Sequence, residues 1–479
     1  MQYEPVIGLE IHVQLNTETK IFCGCSTKFG SEPNTQTCPV CTGMPGVLPV
    51  LNEEVLRKGI LAGLALNCKI SRYSKFDRKN YFYPDLPKAY QISQYDKPVC
   101  RNGYIDITVD NQVKRIGITR LHLEEDAGKS IHSEDADENI SYVDLNRTGV
   151  PLAEIVSEPD MRSGDEAYNY LTKIKSIIKY INVSDANMEE GSLRCDVNIS
   201  VREKGETKFG EKVEVKNLNS FKAVRAAISY EFERQKSLIE SGEKNLIIQE
   251  TRLWDADLQE TYSMRSKEDA HDYRYFPDPD LTPVIITSDY VDNLRKVLPE
   301  LPDQRKERFM KEFGLSEYDS EVLTSVKQLA DYYEETLSFN INPKKAANWI
   351  TSELLGQIAD PETIYSFPVK PSGIAELLAL VENNTINGKI AKTVFREMVE
   401  TGGSPKKIID EKGLVQVSDT SEIEGIIDTV IKNNPQSVND YKSGKQKAIG
   451  FLVGQIMKES RGKANPKIVN ELLLKKLSE

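Results

Sequence analysis

The sequence predicts an α+β fold, with an antiparallel sheet in the N-terminal part of the chain and helices alone in the C-terminal part. Two observations predict it. Apolar and polar residues alternate, as they do in strands, in four segments before about residue 290: 6–15, 116–124, 197–201 and 212–215. Beyond Pro299 the alternation gives way to a helical repeat, in which Ile374, Leu377, Leu378 and Val381 have the spacing of one helix face.

The division into domains follows from the length and from the breaks in these patterns. A chain of 479 residues is long enough for about three domains, and we predict them at 1–294, 295–403 and 404–479. The second boundary follows Gly402 and Gly403, which interrupt the helical repeat. Ser404 then has the features of an N-cap, with Pro405 at the first helical position and Gly413 as the stop.

The balance of charges restricts the classes of partner. The chain has 62 basic and 74 acidic residues and a net charge of −12, yet residues 442–479 hold nine basic residues against three acidic ones. An acidic body with a basic end suits a protein that binds a polyanion at that end, although a solvated helix face has the same composition. No apolar run is long enough for a bilayer and no secretory signal is recognisable, so we expect a cytoplasmic protein.

The cysteines are distributed unevenly. Four of the seven form two close pairs, Cys23-x-Cys25 and Cys38-x-x-Cys41. Two such pairs of thiolates complete a tetrahedron around Zn²⁺, and four sulfur ligands leave no open position for catalysis. We therefore predict a structural zinc knuckle at residues 23–41. Disulfides are the alternative, which the expected cytoplasmic location disfavours.

Polar residues with metal- and phosphate-binding chemistry lie on one side of the predicted strands, because side chains two residues apart share a strand face. The residues of the polar faces are Glu10, His12 and Gln14; Arg120, His122 and Glu124; Arg194, Asp196 and Asn198; and Glu214 and Lys216. A half-buried sheet normally has one polar face, so each segment alone has a structural explanation. The solvent-facing side of an ordinary strand, however, favours Lys, Thr and Ser, whereas these faces carry Glu, His, Asp, Asn and Arg.

Gathered on one sheet, these carboxylates require a cation. Glu10, Glu124, Glu190 and Asp196 cannot all remain ionised close together without one, and Mg²⁺ is a hard ion that takes carboxylates, water and phosphate oxygens. Positive charge suited to phosphates is offered by Lys129, Arg194, Lys216 and Arg252. The sequence has no P-loop and no dinucleotide-binding glycine turn, so ATP, if it binds, lies over a sheet and is held through Mg²⁺.

Seven longer motifs occur along the chain. They are residues 6–15, 74–85, 121–129, 188–198, 216–221, 249–252 and 272–277. With these motifs, in this order, the sequence resembles the B subunits (GatB type) of the bacterial-type aspartyl/glutamyl-tRNA(Asn/Gln) amidotransferases over essentially its whole length. The resemblance implies a glutamine-synthetase-like cradle built on the antiparallel sheet, followed by an all-α helical domain and a small helical tail domain that binds tRNA.

The resemblance also implies an activity. These amidotransferases convert mischarged tRNA, either Glu-tRNA(Gln) or Asp-tRNA(Asn), to the correctly charged form. Their B subunit uses ATP and Mg²⁺ to phosphorylate the side-chain carboxylate of the attached amino acid, and ammonia then displaces the phosphate. The ammonia comes from glutamine that the amidase, or A, subunit hydrolyses, and the small C subunit wraps the other two. This chain fits that division, because it has no recognisable motif for glutamine hydrolysis.

The matching motifs imply roles for individual residues. The implied Mg²⁺ ligands are Glu10, His12, Glu124, Glu190 and Asp196. The implied contacts to ATP are Lys216, Arg252, Arg194 and Asn198, of which Arg194 is also catalytic. Lys79 and Glu125 match positions at the exit of an ammonia channel, where a buried Lys–Glu pair would deliver NH₃ rather than NH₄⁺. Whether Glu125 is such a gate residue or a metal ligand stays open at this point.

The basic segment is implied to contact the tRNA backbone. The residues concerned are Lys442, Lys445, Lys447, Lys458, Arg461, Lys463 and Lys467. Phosphate contacts of this kind position a nucleic acid without reading its bases. Gly450 and Gly454 allow either a close approach of another backbone or tight helix packing, and we favour packing.

Two other functions remain compatible with the sequence. A free-standing amide ligase, acting on a small carboxylic acid in the manner of glutamine synthetase, would use the same chemistry without tRNA. A non-catalytic tRNA scaffold would leave the aligned carboxylates and histidines unexplained, and it predicts no binding of ATP.

Overall fold

The structure of the chain is a computed structural model that describes residues 2–132, 140–264, 273–415, 420–443, 445–460 and 463–478. It forms two compact units, Met1–Leu301 and Pro302–Glu479. The first unit combines a large sheet with helices and the second is helical, which confirms the predicted α+β class. Within these described ranges, no helix has both the length and the apolar composition needed to cross a bilayer.

The first unit contains all the strands that the structure describes. In chain order they are β1 (Tyr3–Gln14), β2 (Lys69–Ile70), β3 (Tyr73–Ser74), β4 (Asp77–Asn80), β5 (Tyr90–Ser93), β6 (Cys100–Val109), β7 (Gln112–Glu125), β8 (Lys129–His132), β9 (Ser141–Asp144), β10 (Pro151–Ser157), β11 (Leu193–Glu203), β12 (Val213–Lys216), β13 (Glu250–Asp255), β14 (Glu260–Ser263), β15 (Phe276–Pro277) and β16 (Val284–Ile285). Nine of them form one sheet in the order β14–β13–β12–β11–β1–β10–β7–β6–β2. Its pairings are antiparallel, except that β13 runs parallel to β12.

The predicted alternation is confirmed in the central strand β1. Leu9, Ile11 and Val13 are fully buried, whereas Glu10 and His12 on the other face are partly accessible. Because the period of a strand is two residues, one face of the sheet is apolar and the other carries the polar side chains.

Helices cover the apolar face of the large sheet. The helices of the first unit are α1 (Glu53–Ala65), α2 (Gly164–Tyr180), α3 (Phe221–Glu240) and α4 (Ser288–Val297), with a 3₁₀ turn at Lys244–Leu246. Each helix begins at a side-chain cap, supplied by Asn52, Ser163, Ser220 and Thr287 in turn. Gly59 lets α1 approach the sheet closely, since a Cβ there would lie 2.8 Å from Leu123 Cδ2.

A small sheet, in the order β15–β4–β5, lies beside the end of β7. Ser93 of β5 donates its hydroxyl hydrogen to Glu124 Oε2 at 3.1 Å, and Gln91 Nε2 donates to the carbonyl oxygen of Glu125 at 2.7 Å. In β4, Lys79 lies opposite Gln91 and Asp77 lies opposite Ser93. Lys79, Gln91 and Ser93 therefore share the face that is directed toward Glu124.

The second unit is built from helices alone within its described residues. They are α5 (Pro302–Phe313), α6 (Glu317–Thr324), α7 (Lys327–Leu337), α8 (Pro343–Trp349), α9 (Pro371–Glu382), α10 (Gly388–Thr401), α11 (Pro405–Lys412), α12 (Thr420–Asn433), α13 (Pro435–Lys442), α14 (Lys447–Glu459) and α15 (Pro466–Ser478), with a π turn at Ile350–Leu354 and 3₁₀ turns at Leu355–Gln357 and Pro361–Ser366. The predicted stripe is confirmed in α9, where Ile374, Leu377 and Leu378 are buried. The predicted cap at Ser404 and the left-handed stop at Gly413 are confirmed for α11.

The described residues of this second unit form two separate apolar clusters. One contains residues between Phe309 and Ile409, and the other residues between Ile423 and Leu477. Ile408 and Ile409 pack in the first cluster, which places α11 with the preceding helices rather than with the tail. The division of the chain into three domains stays a prediction.

The glycines of α14 do not support the packing that we favoured. A Cβ at Gly450 or Gly454 would find no heavy atom of the described residues within 4 Å. Both glycines are exposed, and they share one face of the helix with exposed Lys447, Phe451 and Lys458. That face of α14 is open to a partner. Arg461, another predicted tRNA contact, lies outside the described residues.

Candidate active site on the polar face of the sheet

The centre of the large sheet brings together charged side chains from three adjacent strands. In the antiparallel pairings, His12 of β1 lies opposite Glu154 of β10, and Glu154 lies opposite His122 of β7. Glu124 follows His122 by two residues and therefore shares its face. These four residues form the histidine–carboxylate cluster, which lies on the polar face of the sheet.

Each carboxylate of the cluster faces both imidazoles. His12 Nε2 lies 3.3 Å from Glu154 Oε2 and 3.6 Å from Glu124 Oε1. His122 Nε2 lies 3.3 Å from Glu154 Oε2 and 3.5 Å from Glu124 Oε2. Arg120 Nε lies 3.4 Å from His122 Nδ1, where it can donate to the neutral imidazole, and Nε2 is the nitrogen that faces the carboxylates.

The electrostatics of the cluster favour positive charge at its centre. Burial by itself lowers the pKa of His122, but Glu154 and Glu124 outweigh burial and raise that pKa to about 9. Burial also lowers the pKa of His12, and the hydrogen bond and charge of Glu154 again outweigh it, so this pKa is raised. Burial raises the carboxyl pKa of Glu154, yet the two histidines hold that pKa well below its usual range.

The same arrangement can hold a divalent cation. One ligand atom each from His12, Glu124 and Glu154 lies within 4.8 Å of the other two. Carboxylate oxygens are the donors that Mg²⁺ prefers, and the imidazole extends the set toward transition metals. A bound cation would replace the proton that the carboxylates otherwise draw onto the histidines.

A second polar group lies beside the cluster on the same face. Glu10 of β1 lies opposite Asp196 of β11, and Asn198 Nδ2 donates to Glu10 Oε1 at 2.8 Å. Lys216 Nζ, on β12, lies 2.8 Å from Asp196 Oδ2 and 3.3 Å from Glu214 Oε1. The structure thus brings together Glu10, Asp196, Asn198 and Lys216, as the strand pattern predicted.

Arg194 is held at the edge of the cluster by a buried carboxylate. It lies opposite His12 in the pairing of β11 with β1, and its Nη2 lies 2.8 Å from Asp126 Oδ2. Gln14 Nε2 donates to the same oxygen at 3.0 Å. Arg194 Nε is buried and has no hydrogen-bond partner among the described residues, so one donor of this guanidinium remains for a ligand.

The structure separates the members of the predicted set of metal ligands. Glu190 is exposed in the turn before β11, where it lines a pocket of about 280 Å³ with Asp185 and Ser192. It is absent from the group of ligand atoms that lie within 4.8 Å of one another, as are Glu10 and Asp196. Of the five predicted ligands, the described residues place only His12 and Glu124 in that group.

Arg252 is on the opposite face of the sheet from Lys216. The parallel pairing puts Arg252 of β13 level with Val215 of β12, whose side chain points into the apolar core. There Arg252 Nε lies 3.1 Å from Glu231 Oε1 and its Nη1 lies 2.9 Å from Glu250 Oε1. The predicted contact of Arg252 to ATP, on the same face as Lys216 and Asn198, is therefore corrected, because two buried carboxylates already hold its guanidinium on the other face.

The predicted pair of Lys79 with Glu125 is also corrected. The strand β7 continues through Glu125, so its side chain points away from that of Glu124. The Glu125 carboxylate forms an ion pair with Lys88 and accepts the N–H of Ile92 at 2.9 Å. In the small sheet, the side chain of Lys79 lies on the face opposite to that of Ile92, and its Nζ is 4.8 Å from the ring centroid of Tyr273.

Glu125 and Lys88 line a pocket of about 200 Å³ behind the cluster. The cysteines Cys23 and Cys41 line the same pocket, together with Lys20. Glu124 and Glu125 are consecutive in β7, so this strand end separates the histidine–carboxylate cluster from the pocket.

The four predicted zinc ligands meet in the structure. One sulfur atom from each of Cys23, Cys25, Cys38 and Cys41 lies within 4.8 Å of the others. The hydrogen bond from Cys23 and the buried ammonium of Lys20 lower the pKa of the Cys41 thiol to about 4, against the effect of burial. Lys20 Nζ lies 3.7 Å from Cys41 Sγ. The four sulfurs can hold a structural metal ion, since no fifth protein ligand is needed.

Known proteins resemble the chain over its full length. Residues 5–292 match the family model described as the GatB/GatE catalytic domain, and residues 331–477 match that described as the GatB domain. The chain belongs to the GatB family. Among its relatives, the B subunit of the aspartyl/glutamyl-tRNA(Asn/Gln) amidotransferase of Carboxydothermus hydrogenoformans is 58% identical over 480 residues, which cover 100% of this chain and 99% of that protein. The corresponding protein of Geotalea daltonii is 59% identical over 479 residues, 100% of both chains.

Membership of the GatB family confirms the resemblance drawn from the motifs. The catalytic-domain match ends at residue 292, within α4 and close to the end of the first unit at Leu301. The histidine–carboxylate cluster, the pocket behind it and the four cysteines therefore all lie inside the region matched to the GatB/GatE catalytic domain.

Sequence reasoning missed two residues of this GatB-family site. Glu154 is the single charged residue in the apolar run of β10, and an isolated carboxylate in such a run was the signal that could have found it. Lys88 lies in a loop between β4 and β5, where no period applies, so the sequence carried no signal for its pairing with Glu125.

Proposed function

We propose that this chain catalyses the ATP-dependent amidation of Glu-tRNA(Gln), of Asp-tRNA(Asn) or of both, in the cytoplasm. Its partners in the assembly are the glutaminase, or A, subunit, which supplies ammonia, and the small C subunit. The observation that carries the proposal is the buried histidine–carboxylate cluster inside the region matched to the family's catalytic domain. The names of the full-length relatives favour this reaction over a free-standing amide ligase.

The reaction has two steps. An oxygen of the amino acid's side-chain carboxylate attacks the γ-phosphorus of ATP, the bond to the bridging oxygen breaks, and ADP leaves. The nitrogen of ammonia then attacks the acyl carbon, and phosphate leaves with the electrons of the carbon–oxygen bond. The nitrogen loses one proton and the amide remains. Phosphorylation is needed because a carboxylate is a poor electrophile and oxide a poor leaving group.

The donor set of the cluster fits Mg²⁺. Two ionised carboxylates, Glu124 and Glu154, would hold the ion together with His12. A bound Mg²⁺ would neutralise charge on the phosphoryl group as it is transferred. Ser93 orients the carboxylate of Glu124 through its hydroxyl, and His122 is positioned by Arg120.

The side chains beside the cluster suit the phosphates of ATP. Arg194 offers a buried donor without a partner in the described part of the chain, and Lys216 offers a cation at the surface of the same face. Asn198 Oδ1 is buried and also lacks a hydrogen-bond partner among the described residues. It would accept a hydrogen bond from a hydroxyl or amino group of the nucleotide. Arg194 fits a role in stabilising the transferred phosphoryl group.

The pocket behind β7 suits the delivery of ammonia. Glu125 lines it, and only the thickness of the strand separates the side chain of Glu125 from that of Glu124. The carboxylate of Glu125 would accept a proton from NH₄⁺, and Lys88 would take part in passing that proton on. Cys23 and Cys41 of the four-cysteine knuckle line the pocket, so structural Zn²⁺ at the knuckle would keep this wall in shape.

The tail suits contact with tRNA phosphates. Lys442, Lys445, Lys447, Lys458 and Lys467 are exposed, and the open face of α14 combines two of them with Gly450 and Gly454, which leave room for a sugar–phosphate backbone. Contacts of this kind bind a polyanion in a salt-dependent manner.

The release of ADP by the chain, assembled with its A and C subunits, tests the proposal. The assembly is supplied with ATP and Mg²⁺ and with one of four acceptors: Glu-tRNA(Gln), Asp-tRNA(Asn), uncharged tRNA or free glutamate. ADP release that requires a mischarged tRNA is the expected result, and the preferred tRNA identifies the substrate. Turnover with free glutamate alone would favour the amide ligase, and no turnover with any acceptor would favour the scaffold.

A further inference from the structure

A continuous row of aromatic rings lies on the small sheet beside the histidine–carboxylate cluster. Tyr95 stacks on Tyr275 with ring centroids 4.2 Å apart and an angle of 9° between the rings. Tyr275 contacts Tyr273 at 6.1 Å, and Tyr273 contacts Tyr81 at 5.9 Å, both edge-to-face. Phe82, which follows Tyr81 in the chain, is an exposed aromatic residue at this end of the row. We call these five residues the aromatic platform.

The aromatic platform is open to a ligand. Phe82 is 80% exposed and Tyr95 is 55% exposed, and the neighbouring Tyr83 is 57% exposed. Exposed rings of this size, at this density, are uncommon on a surface that contacts only water, and they are typical of surfaces on which nucleobases stack.

Lys79 adds positive charge to the aromatic platform. Its Nζ lies 4.8 Å from the ring centroid of Tyr273 and 5.6 Å from that of Tyr81. Within the described part of the chain it forms no ion pair with a carboxylate. A cation held between aromatic rings is the combination that binds the sugar–phosphate backbone of a single strand while its bases stack.

The aromatic platform is adjacent to the site of phosphoryl transfer. Lys79 shares a sheet face with Ser93, whose hydroxyl donates to Glu124 at 3.1 Å. Burial and the negative charge of Glu124 raise the pKa of both Tyr81 and Tyr275 above its usual value, as expected of hydroxyls close to that carboxylate.

The aromatic platform and the proposed phosphate-binding side chains flank the cluster on opposite sides. Lys216 and Arg194 lie on β12 and β11, on one side of β1, whereas the small sheet meets the large one at β7, on the other side. In phosphoryl transfer the attacking and leaving oxygens lie roughly in line. If ATP enters above β11 and β12, the carboxylate that attacks must come from the side of β7.

We infer that the aromatic platform and Lys79 bind the single-stranded 3′ end of the acceptor tRNA, with the terminal adenine stacked on the exposed rings and a terminal phosphate beside the ammonium of Lys79. The inference rests on the proposed function, because the reacting carboxylate is carried on the ribose of that terminal adenosine. Bound in this way, the tRNA end directs the aminoacyl group toward Glu124.

The test compares two forms of tRNA(Gln), full-length and lacking only the 3′-terminal adenosine, for binding to the complete assembly with its A and C subunits. The wild-type assembly is expected to bind the full-length tRNA about tenfold more tightly, the order of magnitude of one stacked base. The double variant Phe82→Ala/Tyr95→Ala is expected to bind both forms with the same, weaker affinity. Lys79→Met is expected to reduce the salt dependence of binding by about one phosphate contact.

Phe209→Ala is the matched control. Phe209 is 57% exposed, and its ring lies 5.9 Å from the guanidinium carbon of Arg202. Arg202 is about 26 Å along β11 from Arg194, so Phe209 is an exposed aromatic residue away from the platform. This variant is expected to keep the full difference between the two tRNAs. Binding of ATP alone, measured on the same proteins, is expected to be unchanged in all of them.

Two results would overturn the inference. One is a double variant that still distinguishes the two tRNAs by the wild-type factor. The other is a double variant that loses affinity for ATP, which would make the adenine of ATP the ligand of the platform. Failure of the proposed function is distinguishable from both, since it would appear in the wild-type assembly as absence of tRNA-dependent ADP release, whatever the two tRNAs show in binding.

Discussion

Glu154 lies directly opposite His12 in the pairing of β10 with β1, and its Oε2 is 3.3 Å from both His12 Nε2 and His122 Nε2. This carboxylate therefore joins the two histidines, which come from strands on either side of β10. Without it, the two imidazoles would share only Glu124. Glu154 is thus the central member of the histidine–carboxylate cluster.

Replacement of Glu154 by Gln is expected to lower tRNA-dependent ADP release by about 100-fold or more, because the loss of one carboxylate ligand weakens the hold on the divalent cation. ADP release is measured as a function of the Mg²⁺ concentration, and the variant should need more Mg²⁺ for half-maximal turnover. Glu158→Gln is the control, since Glu158 is an exposed carboxylate just beyond the same strand. Wild-type turnover by the Glu154 variant at the ordinary Mg²⁺ concentration would contradict this role.

Replacement of Lys88 by Met is expected to separate the two steps of the reaction. The change removes the ammonium that pairs with Glu125 in the pocket behind β7, while the histidine–carboxylate cluster on the other face keeps its residues. ADP release should therefore continue, but glutamine-dependent amide formation should fall by about tenfold or more. The measurement is the ratio of amide formed to ADP released.

The exposed Lys97 supplies a matched lysine, and Lys97→Met is expected to keep the wild-type ratio. If Lys88→Met reduces ADP release and amide formation equally, the pocket does not act in ammonia delivery alone, and its assignment would be abandoned.

The four-cysteine knuckle is expected to contain one zinc ion per chain, detectable by elemental analysis of the purified protein. Cys38→Ser should lose this metal, because the tetrahedron would lack one of its four thiolates. Since metal binding contributes to folding, the variant and the chelator-treated wild type should both unfold at lower temperature. Cys68→Ala changes a buried cysteine outside the knuckle and should keep its zinc. A metal-free wild-type protein with unchanged thermal stability would exclude a structural ion.

The sequence could place site residues on a strand face, but it could not tell which strands pair with one another. Alternation with a period of two is a local property, so Glu10, His12 and Gln14 could be placed on one face from the sequence. The partners of that face depend on pairings between distant segments, and β1 pairs with β10 and β11, which lie more than 130 residues away. Glu154 enters the cluster through such a pairing, which explains why the sequence did not predict it.

The face on which Arg252 lies could not be predicted from its own strand either. Alternation within Glu250–Asp255 allows either face to be the polar one, because charged residues occupy both. The parallel register of β13 with β12 decides the phase and turns Arg252 toward Glu231 in the core. A carboxylate on helix α3, not a phosphate, is the partner that the fold provides.

Replacement of Glu231 by Gln is expected to destabilise the first unit by about 3 kcal/mol at pH 7, because Arg252 and Arg234 would lose a fully buried counterion. Burial raises the carboxyl pKa of Glu231, but its hydrogen bonds to Arg234 and others outweigh burial and lower that pKa. The ionised form is thus favoured more in the folded chain than in the unfolded one. The stability that it contributes is present above the unfolded pKa, near 4.3, and is lost as the pH falls toward the lower folded pKa.

Urea unfolding at pH 7 and at several values between pH 5 and pH 3 checks this expectation. The free energy of unfolding of the wild type should decrease more steeply over this acid range than that of Glu231→Gln, so that the two proteins converge at low pH. Glu233→Gln is the control, because Glu233 lies on the same helix but is 65% exposed and pairs with Lys236 at the surface. Parallel pH profiles for the wild type and the Glu231 variant would show that folding does not lower the pKa of the buried carboxyl, which would contradict the prediction.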